Sequence, residues 1–365
     1  MQQNKYLRYL AIPFSFNPER TKEILHVNPT AAPLRVEPES SIINVYDYNA
    51  EMIEEKTLST LEQCYVYRNS GRITWINVDG LRKSDVENIC QHFGVHPLLT
   101  EDILSINQRP KMDEVEGVLY CLLNMLYFNA ELKTVETEQI SIILGNDFVL
   151  SFQEDASRDV FDPIRSKLRI PKSNIRQRTA DYLLYSMLDM IVDNYFVVME
   201  KLGEQLEIVE EEVIKGSTKR SLARINQVRK ELIVLKRNTA PVRDLVNGIL
   251  RSENDLLEDR TTKYFKDVSD HIVQAYDLSE NYRDMMTSMQ DLYINNVNLK
   301  LNEVMKVMAI VTCLLAPATV IGGIFGMNFD VIPAAHNQYG FFLAVGSMLI
   351  IPIVMIVIFK KRGWF

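Results

Sequence analysis

Gly326, Met327 and Asn328 close the first of two long apolar runs near the C terminus, and they offer uncharged oxygens to a cation or its hydration water. Those oxygens are the Asn328 carboxamide and the backbone carbonyls, the kind of hard ligand that suits a divalent cation. Upstream, Asn302, Met305, Met308 with Ala309, Thr312, Ala316, Thr319, Gly323 and Gly326 recur at three- and four-residue steps. A helix would align them in one stripe of small, polar or flexible side chains, leaving Ile310, Leu314, Leu315, Val320, Ile321 and Ile324 to the other faces. Such a stripe has two readings, a wall for a water path or a surface for close helix packing in lipid. The carboxamides of Asn302 and Asn328 at its two ends favour the water path, although Asn328 would also serve to cap the turn.

The elements that must carry these residues are membrane spans. Residues 307–329 include no charged side chain over 23 positions and residues 341–359 none over 19. Each run is long enough to cross a hydrocarbon core of about 30 Å. Lys300 and Lys306 precede the first run, Lys360, Lys361 and Arg362 follow the second, and the connection 330–340 has no Lys or Arg. The positive-inside tendency then puts both flanks in the cytoplasm, with an N-in, C-in topology in a cell membrane. Trp364 and Phe365 beside the basic cluster read as an anchor at the headgroups of the lipid bilayer. Two helices enclose no lumen, so a pore requires several copies of the chain.

With 48 acids against 40 bases and no basic run before the last six residues, nucleic-acid binding is excluded. Cys64, Cys90, Cys121 and Cys313 are scattered without a CxxC pair, which suits a reducing compartment rather than a disulfide scaffold or structural zinc. No signal-peptide core is expected at the start, because its apolar stretch breaks at Pro13.

Between 41 and 153 the expectation is an α/β domain. Strands are read at 42–46, 63–67, 73–78, 117–128, 138–144 and 148–153, with Gly145-Asn146-Asp147 as a hairpin turn. A helix over 84–93 would be capped by Ser84 with Glu87. After Arg178 long helical runs follow at 181–214, at 221–250 with Pro241 as a kink or break, and from about Thr261 to Gly326. The last would reach about 100 Å, a stalk into the membrane. The acids from Glu207 to Glu212 read as a solvated face, or a weak metal site. By residues alone Glu101 and Asp102 are an acid pair at a helix N terminus. The fold class is an α+β membrane protein. Its expected segments are an α/β domain (1–178), a helical funnel with the start of the stalk (179–301), a pore helix (302–329), an outer loop (330–340), a second span (341–359) and a basic tail (360–365).

Phe325-Gly326-Met327-Asn328-Phe329 between two terminal spans, with the tail Lys360-Lys361-Arg362-Gly363-Trp364, resembles the CorA-type magnesium and cobalt transporters. The resemblance extends through Trp75-Ile76-Asn77-Val78, Phe93-Gly94-Val95-His96-Pro97-Leu98, Glu101-Asp102-Ile103-Leu104, Gln108-Arg109-Pro110-Lys111 and Asn302-Glu303-Val304-Met305-Lys306. It implies a homopentamer whose first spans line a central pore for Mg2+, with Co2+ or Ni2+ tolerated. Rings of Asn328 carboxamides and Gly326 carbonyls would form the filter, with Met327 completing the motif. Asn302 would hold hydrated ion at the cytosolic end, Met305 and Met308 would form an apolar constriction, and Thr319 would offer hydroxyls midway. The resemblance further implies a regulatory metal between subunits, bound by Asp102 and Asp267, with Glu101 and Asp189 adding a neighbouring site. Asp330, the only acid of the outer loop, would give a negative ring at the mouth, and Ala316 stands where some relatives have Met. Two other functions are weighed, a zinc transporter of the same architecture and a membrane-anchored scaffold that moves no ion. Met327, and His336 as the outer loop's one His, speak against zinc. No P-loop, GxSxG or paired metal-binding His motif points to an enzyme.

Overall fold

The computed structural model describes residues 37–106, 108–328, 330, 332–333 and 337–364, together with Arg20 and Ile24. The chain divides into two compact units, one of residues 1–213 with 218–289 and one of residues 214–217 with 290–365.

The first unit is built on a seven-stranded sheet of order β2-β1-β3-β7-β6-β5-β4. Its strands are β1 (Ile42–Tyr48), β2 (Ile53–Leu58), β3 (Ile73–Asp79), β4 (Lys111–Val115), β5 (Val118–Asn129), β6 (Thr134–Leu144) and β7 (Phe148–Gln153). Among the described residues only β3 and β7 pair in parallel; every other pair is antiparallel. Glu116 (φ 49) and Gly117 (φ 80) turn β4 back into β5, two successive left-handed residues as a tight hairpin requires. The expected turn at 145–147 joins β6 to β7, closed by the Gly145 N–H donating to the Phe148 carbonyl.

Helices α1 (Lys83–Phe93) and α2 (Pro97–Leu104) bury Val86, Ile89, Phe93, Leu99 and Ile103 in one cluster with Ile76, Val78, Leu122, Ile143 and Leu150 of the sheet. Helix α3 (Asp162–Arg169) follows β7 and contributes the buried Ile164 and Leu168. Long helices α4 (Ala180–Lys215) and α5 (Lys219–Arg251) meet the strands through polar anchors: the Tyr195 hydroxyl donates to the Asn124 carbonyl at 2.6 Å, and Asn124 Nδ2 donates to Asn238 at 2.8 Å. Although apolar enough to span a bilayer by composition, α4 has half of its apolar window buried within this unit and is a core helix.

Several expectations are corrected. Residues 63–67 lie in a 3-10 helix, Leu61–Tyr67, because Leu61, Cys64 and Tyr67 are buried at steps of three rather than in strand alternation. Helix α1 begins at Lys83 after Arg82 with no side-chain cap, and Ser84 turns its hydroxyl to Asp85 instead. Pro241 does not break α5, which continues through it with the residue buried. Glu101 and Asp102 sit in the C-terminal half of α2, with no acid in its first turn, so the N-terminal acid-pair reading fails.

The second unit holds the end of α6 (Asp259–Phe325) and all of α7 (Gly340–Lys361). The 67 residues of α6 run unbroken through Pro317, about 100 Å at the usual rise. Helix α7 ends in a Schellman turn: the Gly363 N–H donates to the Lys360 carbonyl and the Trp364 N–H to the Phe359 carbonyl, with Gly363 at φ 71. That turn folds Trp364 back to stack on Phe359, ring centroids 5.2 Å apart.

Candidate ion pathway and acidic sites

Asn302, Met305, Met308, Thr312, Ala316, Thr319 and Gly323 all lie on α6, and all are exposed in the single chain. The least exposed residues of this stretch are Ile310, Leu314, Pro317, Ala318 and Ile321. At about 100° per residue these fall on the side of the helix opposite the stripe. Gly322 approaches α7: a Cβ there would stand 3.6 Å from Met348 Cε. The stripe is therefore not the surface on which this hairpin closes.

Each hydroxyl of the stripe is spent on the helix itself. Thr312 donates to the Met308 carbonyl at 2.8 Å and Thr319 to the Leu315 carbonyl at 3.0 Å. With its proton so used, a Thr oxygen keeps only acceptor lone pairs, and the water around a hydrated cation presents donors. Beyond Phe325 the chain turns through the Gly326 N–H on the Gly322 carbonyl and the Met327 N–H on the Ile324 carbonyl. A Cβ at Gly326 would lie 3.1 Å from the Gly322 oxygen, so the turn is tight enough to favour glycine. Met327, Asn328 and Asp330 are exposed.

The acids expected to hold a regulatory cation lie in the first unit. Asp102 is engaged by its own chain: Lys111 Nζ stands 2.6 Å from Oδ2 and Gln108 Nε2 donates to Oδ1 at 2.9 Å. Glu101, beside it on α2, is exposed. No described hydrogen bond or ion pair joins Asp102 to Asp267. Asp189 and Asp267, by contrast, are electrostatic neighbours on α4 and α6. Burial, aided by Asp193 and Asp267 and opposed by His271 and the Tyr185 hydroxyl, raises the Asp189 carboxyl above the ordinary carboxylate range.

Sequence reasoning missed two members of this corner. Asp189, Asp193 and His271 offer ligand atoms that all lie within 4.8 Å of one another, and His271 Nδ1 is 3.8 Å from Asp193 Oδ1. The signal was present as two i,i+4 pairs, Asp189 with Asp193 and Asp267 with His271, each on one face of a long helix. The acids from Glu207 to Glu212 are a mostly exposed face, and Glu212 is paired with Arg224.

A mixed sheet, a 67-residue helix and a terminal pair of apolar helices define a membrane protein with its long apolar helices at the C-terminal end. The chain belongs to the CorA-like Mg2+ transporter protein family, whose model matches residues 70–361. It is 38% identical over 323 residues to the cobalt/magnesium transport protein CorA of Thermotoga maritima, covering 88% of this chain and 92% of that one. It is 31% identical to the putative metal ion transporter YfjQ of Bacillus subtilis, covering 80% and 89%. Its fold matches the complete structure of the CorA magnesium transporter from Methanocaldococcus jannaschii with a TM-score of 0.74 at 24% identity, covering 91% and 100%.

Proposed function

We propose that this protein conducts hydrated Mg2+, and tolerates Co2+, through a pore lined by the α6 stripe of five copies of the chain, with both termini in the cytoplasm. The carrying observation is that the stripe from Asn302 to Gly323, continued by the Gly326-Met327-Asn328 turn, stays uncovered while the opposite side of α6 holds the residues least exposed. A small cation that dehydrates reluctantly is best recognised through its water shell. Asn328 carboxamides and Gly326 carbonyls would accept from that shell at the outer end, Thr319 and Thr312 along the helix, and Asn302 at the inner end. Met305 and Met308, both largely exposed here, would form an apolar collar able to close by dewetting. Ala316 and Gly323 leave the wall wide between these levels, and Asp330 would add negative potential at the mouth. The polar side chains of the stripe and turn, Asn302, Thr312, Thr319 and Asn328, offer oxygen and no imidazole or thiolate, which supports Mg2+ over Zn2+.

Regulation would come from cations bridging copies at Asp102 and Asp267, with Glu101 and Asp189 as a second station. Carboxylates and water are the donor set a hard cation takes, and burial, with Asp193 and Asp267 adding to it, raises the Asp189 carboxyl. Loss of cytosolic Mg2+ would then loosen the assembly and favour the open pore. The deciding experiment is Mg2+ uptake by vesicles under an inward-negative potential. Asn328→Ala is expected to remove at least nine-tenths of the flux, an effect of about 1.4 kcal/mol or more on the transport barrier. Unchanged uptake would sink the filter assignment.

A further inference from the structure

We propose that Lys111 is a built-in competitor for the cation at Asp102, and that it sets how much Mg2+ is needed before that site fills. The inference rests on the reading of Asp102 as a cation ligand given above. Lys111 opens β4, one of the two edge strands of the sheet, and Asp113 lies two residues on, so strand alternation puts both on one face. The Lys111 ammonium is 2.6 Å from Asp102 Oδ2 and 3.1 Å from Asp113 Oδ2. Gln108 Nε2 takes the other Asp102 oxygen at 2.9 Å, and Gln139 Nε2 donates to the Asp102 backbone carbonyl at 3.2 Å. Both carboxylate oxygens of the ligand therefore hold donors of the same chain. Asp102 is still within reach of solvent, with its side chain 21% exposed.

A divalent ion arriving at Asp102 meets an ammonium already seated. Either the ammonium leaves and gives up a charge-assisted hydrogen bond, or it stays and repels the newcomer; both weaken cation binding. A unit charge about 6 Å from a divalent ion in a water-like dielectric corresponds to about a tenfold change in affinity. Lysine suits the task because its ammonium is a compact point charge on a flexible stem. Asp113 supplies the seat to which that charge withdraws.

The test uses the full-length protein in detergent, titrated with MgCl2 alone and read by thermal midpoint and by protection from protease. Lys111→Gln is expected to lower the Mg2+ concentration for half-maximal stabilisation about tenfold. Lys111→Arg, which keeps the charge, should leave that concentration near the wild-type value. Asp113→Asn removes the withdrawal seat and should raise it. Asp102→Asn fixes the ligand itself: if it leaves the Mg2+ response intact, Asp102 is not a ligand and the competitor falls with it. If Asp102→Asn weakens the response but Lys111→Gln leaves the half-point where it was, the ligand stands and the competitor is overturned. Should Lys111→Gln not fold, Asp113→Asn decides, since an unmoved half-point there also overturns the proposal.

Discussion

In the first unit the large apolar side chains are inside, with Trp75, Tyr48, Phe152 and Phe161 fully buried. In the second, Phe341, Phe342 and Leu343 of α7 are 71%, 71% and 70% exposed. Water cannot be the solvent of both surfaces, because an apolar face of that extent would be driven to cover itself. The first unit satisfies its charges through ion pairs and its backbone through a sheet and helices; the second has no acid after Asp330 and its two apolar runs lie on helices. Each is a consistent solution for its own medium.

The comparison breaks most visibly at Trp75. Its ring stacks on Tyr46 at 4.8 Å, meets Phe161 edge-on at 6.0 Å and lies under the Arg165 guanidinium. Its Nε1–H donates to Ser151 Oγ at 2.8 Å, and that hydroxyl donates in turn to Asn77 at 2.6 Å. Trp75→Ala removes the ring contacts and the donor together. We expect a loss of about 3–5 kcal/mol, or about 10 °C in thermal midpoint, followed by circular dichroism of the full-length protein. A shift under about 2 °C would mean the ring is not the keystone of this sheet.

A second test separates the two media. Ile350 lies mid-way along α7 and is 62% exposed, whereas Val66, in the first unit, is 75% exposed. In water both positions would accept a charge at little cost. In lipid Ile350→Arg should cost about 2.5–3.5 kcal/mol, read as the fraction of chain inserted into membranes. Val66→Arg should stay within about 0.5 kcal/mol. Equal behaviour of the two variants would remove the distinction.

The sequence was most legible where one medium imposes one pattern. Charge-free runs marked the ends of α6 and α7, and helical spacing marked the stripe, because nothing else competes with hydropathy there. It was least legible at the sheet edges: β2 (Ile53–Leu58) and β4 (Lys111–Val115) are rich in Lys, Glu and Asp, as exposed edges tend to be, and so lack strand alternation. The same blind spot hid Lys111, whose partner Asp102 is nine residues away on another element. Asp193 and His271 escaped for a related reason, since a ligand set spread over α4 and α6 leaves only paired spacings on each helix.

The smallest effect tests how the first unit tolerates an acid with no cation beside it. Glu138 on β6 is buried, and burial raises its pKa despite the backbone N–H groups of Asp155 and Glu154, which donate to Oε1 at 2.8 and 3.1 Å. A folded-state pKa above the unfolded one means the native protein holds the proton more tightly. The stabilisation from the neutral carboxyl is thus complete below the ordinary value of about 4.3 and is lost as pH rises through the folded value. Glu138→Gln keeps an oxygen for the two N–H groups and cannot ionise. The midpoint of wild type relative to this variant should fall by about 2 °C or less as pH rises from the ordinary carboxylate range toward neutrality. A wild-type advantage that instead grows with pH would show that the ionised carboxylate is the form the two N–H groups hold, and that burial is the weaker influence at this strand.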